Sequence, residues 1–98
     1  MGSPLDNLNT IADVARLGIF QEIQRLFNGH NDYKVELSNI GVRVYKNEKI
    51  VARIYLYSKD VSPQISVNGQ VLQIRFVYDD PMFFIKVAET VGRALGAL

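Results

Sequence analysis

Arg43, Arg53 and Arg75 recur through the middle of the chain in company with Tyr45, Tyr55 and Tyr57, and Lys34 and Gln73 lie in the same stretch. A guanidinium neutralises a phosphate while hydrogen-bonding it, and a phenol ring offers a flat face on which an unpaired base can stack. Interleaved, these residue types suit holding a single-stranded polyanion rather than transforming a substrate. The charge distribution agrees. The whole chain carries a formal +1, but residues 33–78 set Lys34, Arg43, Lys46, Lys49, Arg53, Lys59 and Arg75 against only Glu36, Glu48 and Asp60, and both flanking segments are net acidic. A small total charge thus conceals a basic centre, and the local field is what steers a charged ligand.

Catalytic chemistry finds little to work with. There is no Cys and a single His, which removes disulfide frameworks, thiolate metal sites, thiol nucleophiles and imidazole clusters. His30 beside Asp32 could orient an imidazole as a base, yet the setting Gly29-His30-Asn31-Asp32 reads as a turn. Asp79-Asp80 offers two carboxylates, but Asp80 before Pro81 is explained as a helix cap. Ser38, Ser58, Ser62 and Ser66 have no base nearby in sequence, and no glycine-rich phosphate loop is present. The expectation is a protein that is not an enzyme, with no cofactor and no metal.

The elements that must position the arginines and tyrosines can be read from periodicity. Ser3-Pro4-Leu5-Asp6 is a helix start, and Leu8, Ala12, Ala15, Ile19, Ile23 and Leu26 recur at three and four, predicting a helix from Pro4 to Asn28 with Asn28-Gly29 as its stop. From Tyr33 to Tyr78 the period becomes two. Tyr33, Val35 and Leu37, then Ile40, Val42 and Val44, then Ile50, Ala52, Ile54 and Leu56 form inward sets, with a parity slip at Ser38-Asn39 that calls for a tight turn or a bulge, the turn preferred on strand length. Asn68-Gly69 predicts a two-residue type I′ hairpin that sets Ile65 opposite Leu72 and Ser66 opposite Val71, and sends Leu72, Ile74, Phe76 and Tyr78 inward. For the earlier hairpin, a three-residue loop Asn47–Lys49 pairs Val44 with Ala52 and Val42 with Ile54, whereas a two-residue loop at Asn47-Glu48 would put Tyr45 beside Ile50; the former register is preferred, and it places Arg43 opposite Arg53. Asp80 and Pro81 start a last helix, with Phe84, Val87, Val91, Leu95 and Leu98 on one face and a small edge of Ala88, Gly92 and Gly96 that would let it lie close to the first helix or to a copy of itself.

The chain is thus expected to form one α+β domain over residues 1–98: a two-layer sandwich of N-terminal helix, four- to five-stranded antiparallel β-meander and C-terminal helix, both helices on one sheet face. The open face then carries Lys34, Arg43, Tyr45, Arg53, Tyr55, Tyr57, Gln73 and Arg75, which predicts contact with single-stranded DNA or RNA. Two arginines directly opposite one another repel, so an anion or an acidic partner is expected between them. The alternative is a homodimeric protein-interaction module. Val14, Leu17 and Phe20, with Ala88 and Gly92, are the expected dimer surface, since a dimer through the arginines would repel itself. No window approaches the roughly 18 apolar residues a membrane span requires, and no signal-peptide pattern opens the sequence, which predicts a cytoplasmic protein without a membrane partner.

Overall fold

The structure is a computed structural model that describes residues 11–56, 64–74 and 80–98. Helix α1 (Ile11–Leu26) leads into strands β1 (Tyr33–Leu37), β2 (Gly41–Lys46), β3 (Lys49–Tyr55), β4 (Gln64–Val67) and β5 (Gln70–Val71), and helix α2 (Pro81–Ala94) follows. The strands pair antiparallel in chain order, so the sheet is a β-meander. The helices contact one face of it, giving the α+β sandwich that the alternation of periods predicts.

The core lies between the layers. Ala15, Ile19 and Ile23 of α1 meet Val42, Val44, Ala52, Ile54, Ile65 and Val67 of the sheet, together with Leu56 and with Phe83, Val87 and Val91 of α2, in a single buried cluster. Removing a large aliphatic side chain of this kind from water stabilises the fold by about 1.5–3 kcal/mol. The helices run side by side in the same direction: Gly18 lies against the Phe84 ring and, eight residues on in each helix, Gly92 lies against Leu26. Ala88 is buried and Gly92 is covered in this seam. Of the two partners open to this small edge, the first helix is the one found at Gly92, where Leu26 of α1 fills the space and leaves no outward dimer edge. Phe83, not Phe84, takes the deep position on α2, while Phe84 is half-buried over Gly18. The stripe begins one residue earlier than the spacing suggested because the seam with α1 widens the apolar face.

Local chemistry explains the ends of the elements. Asp80 caps α2, its Oδ1 accepting the Met82 N–H at 3.0 Å with Pro81 in the first turn. Leu26 ends α1 and a turn runs through Phe27 to Gly29, whose φ of 90° favours glycine. The expected start of that helix at Pro4 lies outside the described residues. The parity slip is a turn: Ser38 Oγ accepts the Gly41 N–H at 3.1 Å, and Gly41 then passes so close to the Ile54 carbonyl that a side chain would overlap it.

The two hairpins differ from one another in an instructive way. Asn68 and Gly69 have φ of 51° and 80°, and Ser66 pairs with Val71, as the Asn-Gly signal requires. The first hairpin is corrected. Its loop is the two-residue Asn47-Glu48, both with positive φ, so Lys46 meets Lys49 and Tyr45 meets Ile50. One extra residue, Val51, then bulges from β3 and restores the pairs Val44–Ala52, Arg43–Arg53 and Val42–Ile54. Both registers considered from sequence are therefore present, one on each side of the bulge. Ile50, at 37% exposure, consequently lies outside the core it was assigned to, and so does Leu37, at 41%, because its strand is the edge of the sheet. β5 ends at Val71, but the Leu72 N–H still donates to the Ile65 carbonyl at 2.8 Å, as the Asn-Gly register predicts, and Leu72 and Ile74 pack against the core; the expected inward Phe76 and Tyr78 lie outside the described residues.

One buried polar group has no counterpart in the sequence reading. Arg16 is 9% exposed, forms an ion pair with Asp13 one helical turn away, and donates from Nη1 to the Leu56 carbonyl at 2.6 Å. Burial lowers its pKa from the ordinary guanidinium value. It ties α1 to the end of β3.

Candidate nucleic-acid interface

The alternation that buries Val42, Val44, Ala52 and Ile54 turns their neighbours to the opposite face of the sheet. Three cross-strand rows result. Lys34 lies beside Tyr45 at one end. Glu36, Arg43, Arg53, Ser66 and Val71 follow one another across all five strands in the middle. Tyr55 lies beside Gln64 at the other end. Of the eight residues expected on this face, Tyr57 and Arg75 lie outside the described residues.

The middle row decides the electrostatics. Arg43 and Arg53 are opposite one another, as the register predicts. Their repulsion is relieved from within the chain, because Arg43 Nη1 donates to Glu36 Oε1 at 3.1 Å and Arg43 Nε donates to the Tyr55 hydroxyl at 3.3 Å. The guanidinium carbon stands 5.7 Å from the Tyr55 ring centroid, within cation–π range. Tyr45 also reaches Glu36, its hydroxyl donating to Oε1 at 3.4 Å. The Tyr55 contact, then the Glu36 contact, raises the Arg43 pKa above its ordinary value. An external anion between the arginines is therefore not required, since Glu36 supplies the negative charge. Arg53 is different: it is exposed, and its side chain forms no hydrogen bond or ion pair among the described residues.

Two clefts flank this bridge. One, of about 480 Å³, is lined by Lys34, Tyr45 and Tyr33 but also by Asp32, Glu36 and Glu48, with Asn31 and Asn47. Three carboxylates against one ammonium make it a poor seat for phosphate. The other, of about 370 Å³, is lined by Arg53, Tyr55, Gln64, Ile65, Ser66, Val71, Leu72, Gln73 and Ile74. It offers a free guanidinium, a phenol ring and two amides, with no carboxylate among its described lining residues. The structure thus divides the expected site, gathering Arg53, Tyr55 and Gln73 while setting Lys34 and Tyr45 apart in an acidic setting, with Arg43 engaged between them.

Glu36 is the member of this face left out of the expected site, and Gln64, expected on this face opposite Gln73, joins the site beside Tyr55. The signal was present in the alternation, since Glu36 shares the parity of Lys34 in β1 and Gln64 that of Ser66 in β4. Elsewhere, His30 is exposed and meets the Phe27 and Tyr33 rings edge-on at 5.9 and 6.1 Å. Among the described residues no three His, Asp or Glu side chains are grouped so as to hold a metal ion. Val14 is 48% exposed on α1, whereas Leu17 and Phe20 are half-buried, Phe20 against the core. No helix among the described residues is long and apolar enough to cross a membrane. The chain matches no protein-family model, and comparison with curated proteins and with solved structures finds no match to either.

Proposed function

We propose that the protein is a small, non-enzymatic cytoplasmic module that binds single-stranded DNA or RNA on the outer sheet face, with Arg53 contacting phosphate and Tyr55 stacking on a base. The observation that carries this reading is the acid-free cleft in which an unpaired Arg53, Tyr55, Gln64 and Gln73 converge. Its volume of about 370 Å³ falls within the range of small-ligand pockets, and its amides can meet base edges without demanding one sequence. Arg43 acts as a positioning residue, its guanidinium carbon standing 5.7 Å from the Tyr55 ring centroid, a contact with the ring itself. Lys34 and Tyr45, beside Asp32, Glu36 and Glu48 in the acidic cleft, contribute little to this contact.

The test is fluorescence anisotropy with labelled oligothymidine and oligouridine at two salt concentrations. Arg53→Ala is expected to weaken binding to every sequence alike and to reduce the salt slope by about one phosphate contact. Tyr55→Ala loses about 1–3 kcal/mol of stacking with the slope nearly unchanged, while Tyr55→Phe, which keeps the ring, retains binding. Absence of binding at low salt sinks the proposal.

One observation favours a protein ligand instead. Val71 is 68% exposed and borders the same cleft, so an apolar side chain stands beside Arg53 and Tyr55. Arginine and tyrosine around an apolar centre also describe a protein-binding hot spot. An acidic protein segment would then occupy the cleft, and Val71→Ser would weaken it without affecting oligonucleotides.

A further inference from the structure

The sheet has two edges of unequal character. β5 contributes only Gln70 and Val71, whereas β1 is a five-residue strand, and among the described residues nothing pairs with its outer side. The direction of its free backbone groups follows from its neighbours. The Ser38 N–H donates to the Gly41 carbonyl and the Asn47 N–H to the Asp32 carbonyl, so even-numbered residues of this stretch turn their backbone toward β2. Val35 and Leu37 therefore direct their N–H and C=O groups outward, as does the Tyr33 carbonyl. An exposed row of this kind is a template for another strand, and proteins ordinarily protect it with charges that repel a copy.

β1 does the reverse. We infer that a second copy of this chain docks on β1, antiparallel about a two-fold axis at Val35, joining two five-stranded sheets into one. In that register Lys34 faces Glu36 of the second copy and Glu36 faces its Lys34, while Val35 meets Val35 and Tyr33 meets Leu37. Every position of Tyr33-Lys34-Val35-Glu36-Leu37 is complementary to the position it meets. A parallel or shifted pairing would set like charges together or place a charge on the apolar side. The hydrogen bonding also closes: two Val35–Val35 bonds straddle the axis, flanked on each side by a Leu37 N–H donating to a Tyr33 carbonyl.

Glu36 can serve both neighbours. Arg43 and Tyr45 both engage Oε1, and among the described residues Oε2 has no partner. Leu37, 41% exposed and misplaced for a monomer's core, gains cover from the second copy's Tyr33. Beneath the edge, α1 contacts β1 and β2.

The test begins with amide exchange on the wild-type chain, read from micromolar to hundred-micromolar concentration. Val35 and Leu37 are expected to become protected as concentration rises, with Lys34 and Glu36 unchanged because their N–H groups are already bonded to β2. Sedimentation equilibrium on variants follows. Lys34→Glu alone and Glu36→Lys alone each put like charges in both cross-axis pairs and are expected to weaken the dimer by about tenfold or more. Mixing the two variants restores association, because each then faces its opposite. A monomer throughout the range, exchange at Val35 and Leu37 that ignores concentration, or a dimer abolished by Val14→Glu but untouched by the charge swaps would overturn the inference. The exchange result stands even where a charge swap impairs folding.

Discussion

Glu36 on β1 and Arg43 on β2 form an ion pair across the sheet, Nη1 to Oε1 at 3.1 Å, and this contact sets how much of the basic face is available to a ligand. Without it, the Arg43–Arg53 pair would be an unrelieved like-charge contact, and both arginines would be candidates for phosphate. With it, Arg43 is tied to Glu36 and Tyr55, and Arg53 alone of the pair is free to bind. Both partners remain partly in water, so the pair contributes little to folding and much to the local field.

Removing that negative charge should strengthen oligonucleotide binding. Glu36→Gln leaves a side chain of similar shape but releases Arg43 from its counter-charge, so affinity rises several-fold and the salt slope steepens by about one contact. Anisotropy titrations at two salt concentrations check this. Binding unchanged or weakened in the variant would show that Arg43, once released, does not become a phosphate contact.

Arg16→Met should destabilise the chain by about 2–3 kcal/mol. The thioether fills much of the arginine's volume, but the Leu56 carbonyl loses a charge-assisted hydrogen bond and Asp13 loses its ion-pair partner at a buried site. Urea unfolding followed by circular dichroism measures the loss; a change below about 0.5 kcal/mol would place this arginine among ordinary surface residues.

The first hairpin should accept glycine better than its own residue. Glu48 has φ of 70°, a conformation costing an L-residue about 1–2 kcal/mol, while Gly69 occupies the equivalent position of the second hairpin. Glu48→Gly is expected to raise stability by about 0.5–1 kcal/mol after the greater entropy of the unfolded glycine is subtracted. A thermal melt of variant against wild type decides the sign.

Gly41→Ala tests the turn between β1 and β2. The added methyl would overlap the Ile54 carbonyl, which belongs to the paired backbone of β3 and cannot rotate aside as a side chain would. A loss of about 3 kcal/mol is expected, with a lowered urea midpoint and faster exchange along β2. Gly69→Ala, where no atom lies within 4 Å of the new methyl, should instead show only the smaller cost of its positive φ of 80°.

What was legible in the sequence was local. Asn68-Gly69 fixes its own φ values and with them the Ser66–Val71 pair; Asp80-Pro81 caps its own helix; the period-two stretches sort Val42, Val44, Ala52 and Ile54 from Arg43 and Arg53. Each depends on residues a few positions apart, where sterics and hydrogen bonding act before the chain is compact. The rest required distant segments to meet. Whether Glu36 neutralises Arg43 depends on the turn at Ser38 bringing β1 alongside β2, and whether Ala88 and Gly92 are covered depends on α1 packing beside α2 some seventy residues later in the chain. The first hairpin lies between these cases: its loop and its core each favoured a different register, and the bulge at Val51 accommodates both. A two-residue turn demands only two φ values, whereas burying Val44 and Ile54 on the same side of the sheet is a condition on the whole layer, so tertiary packing placed the extra residue where neither demand was violated.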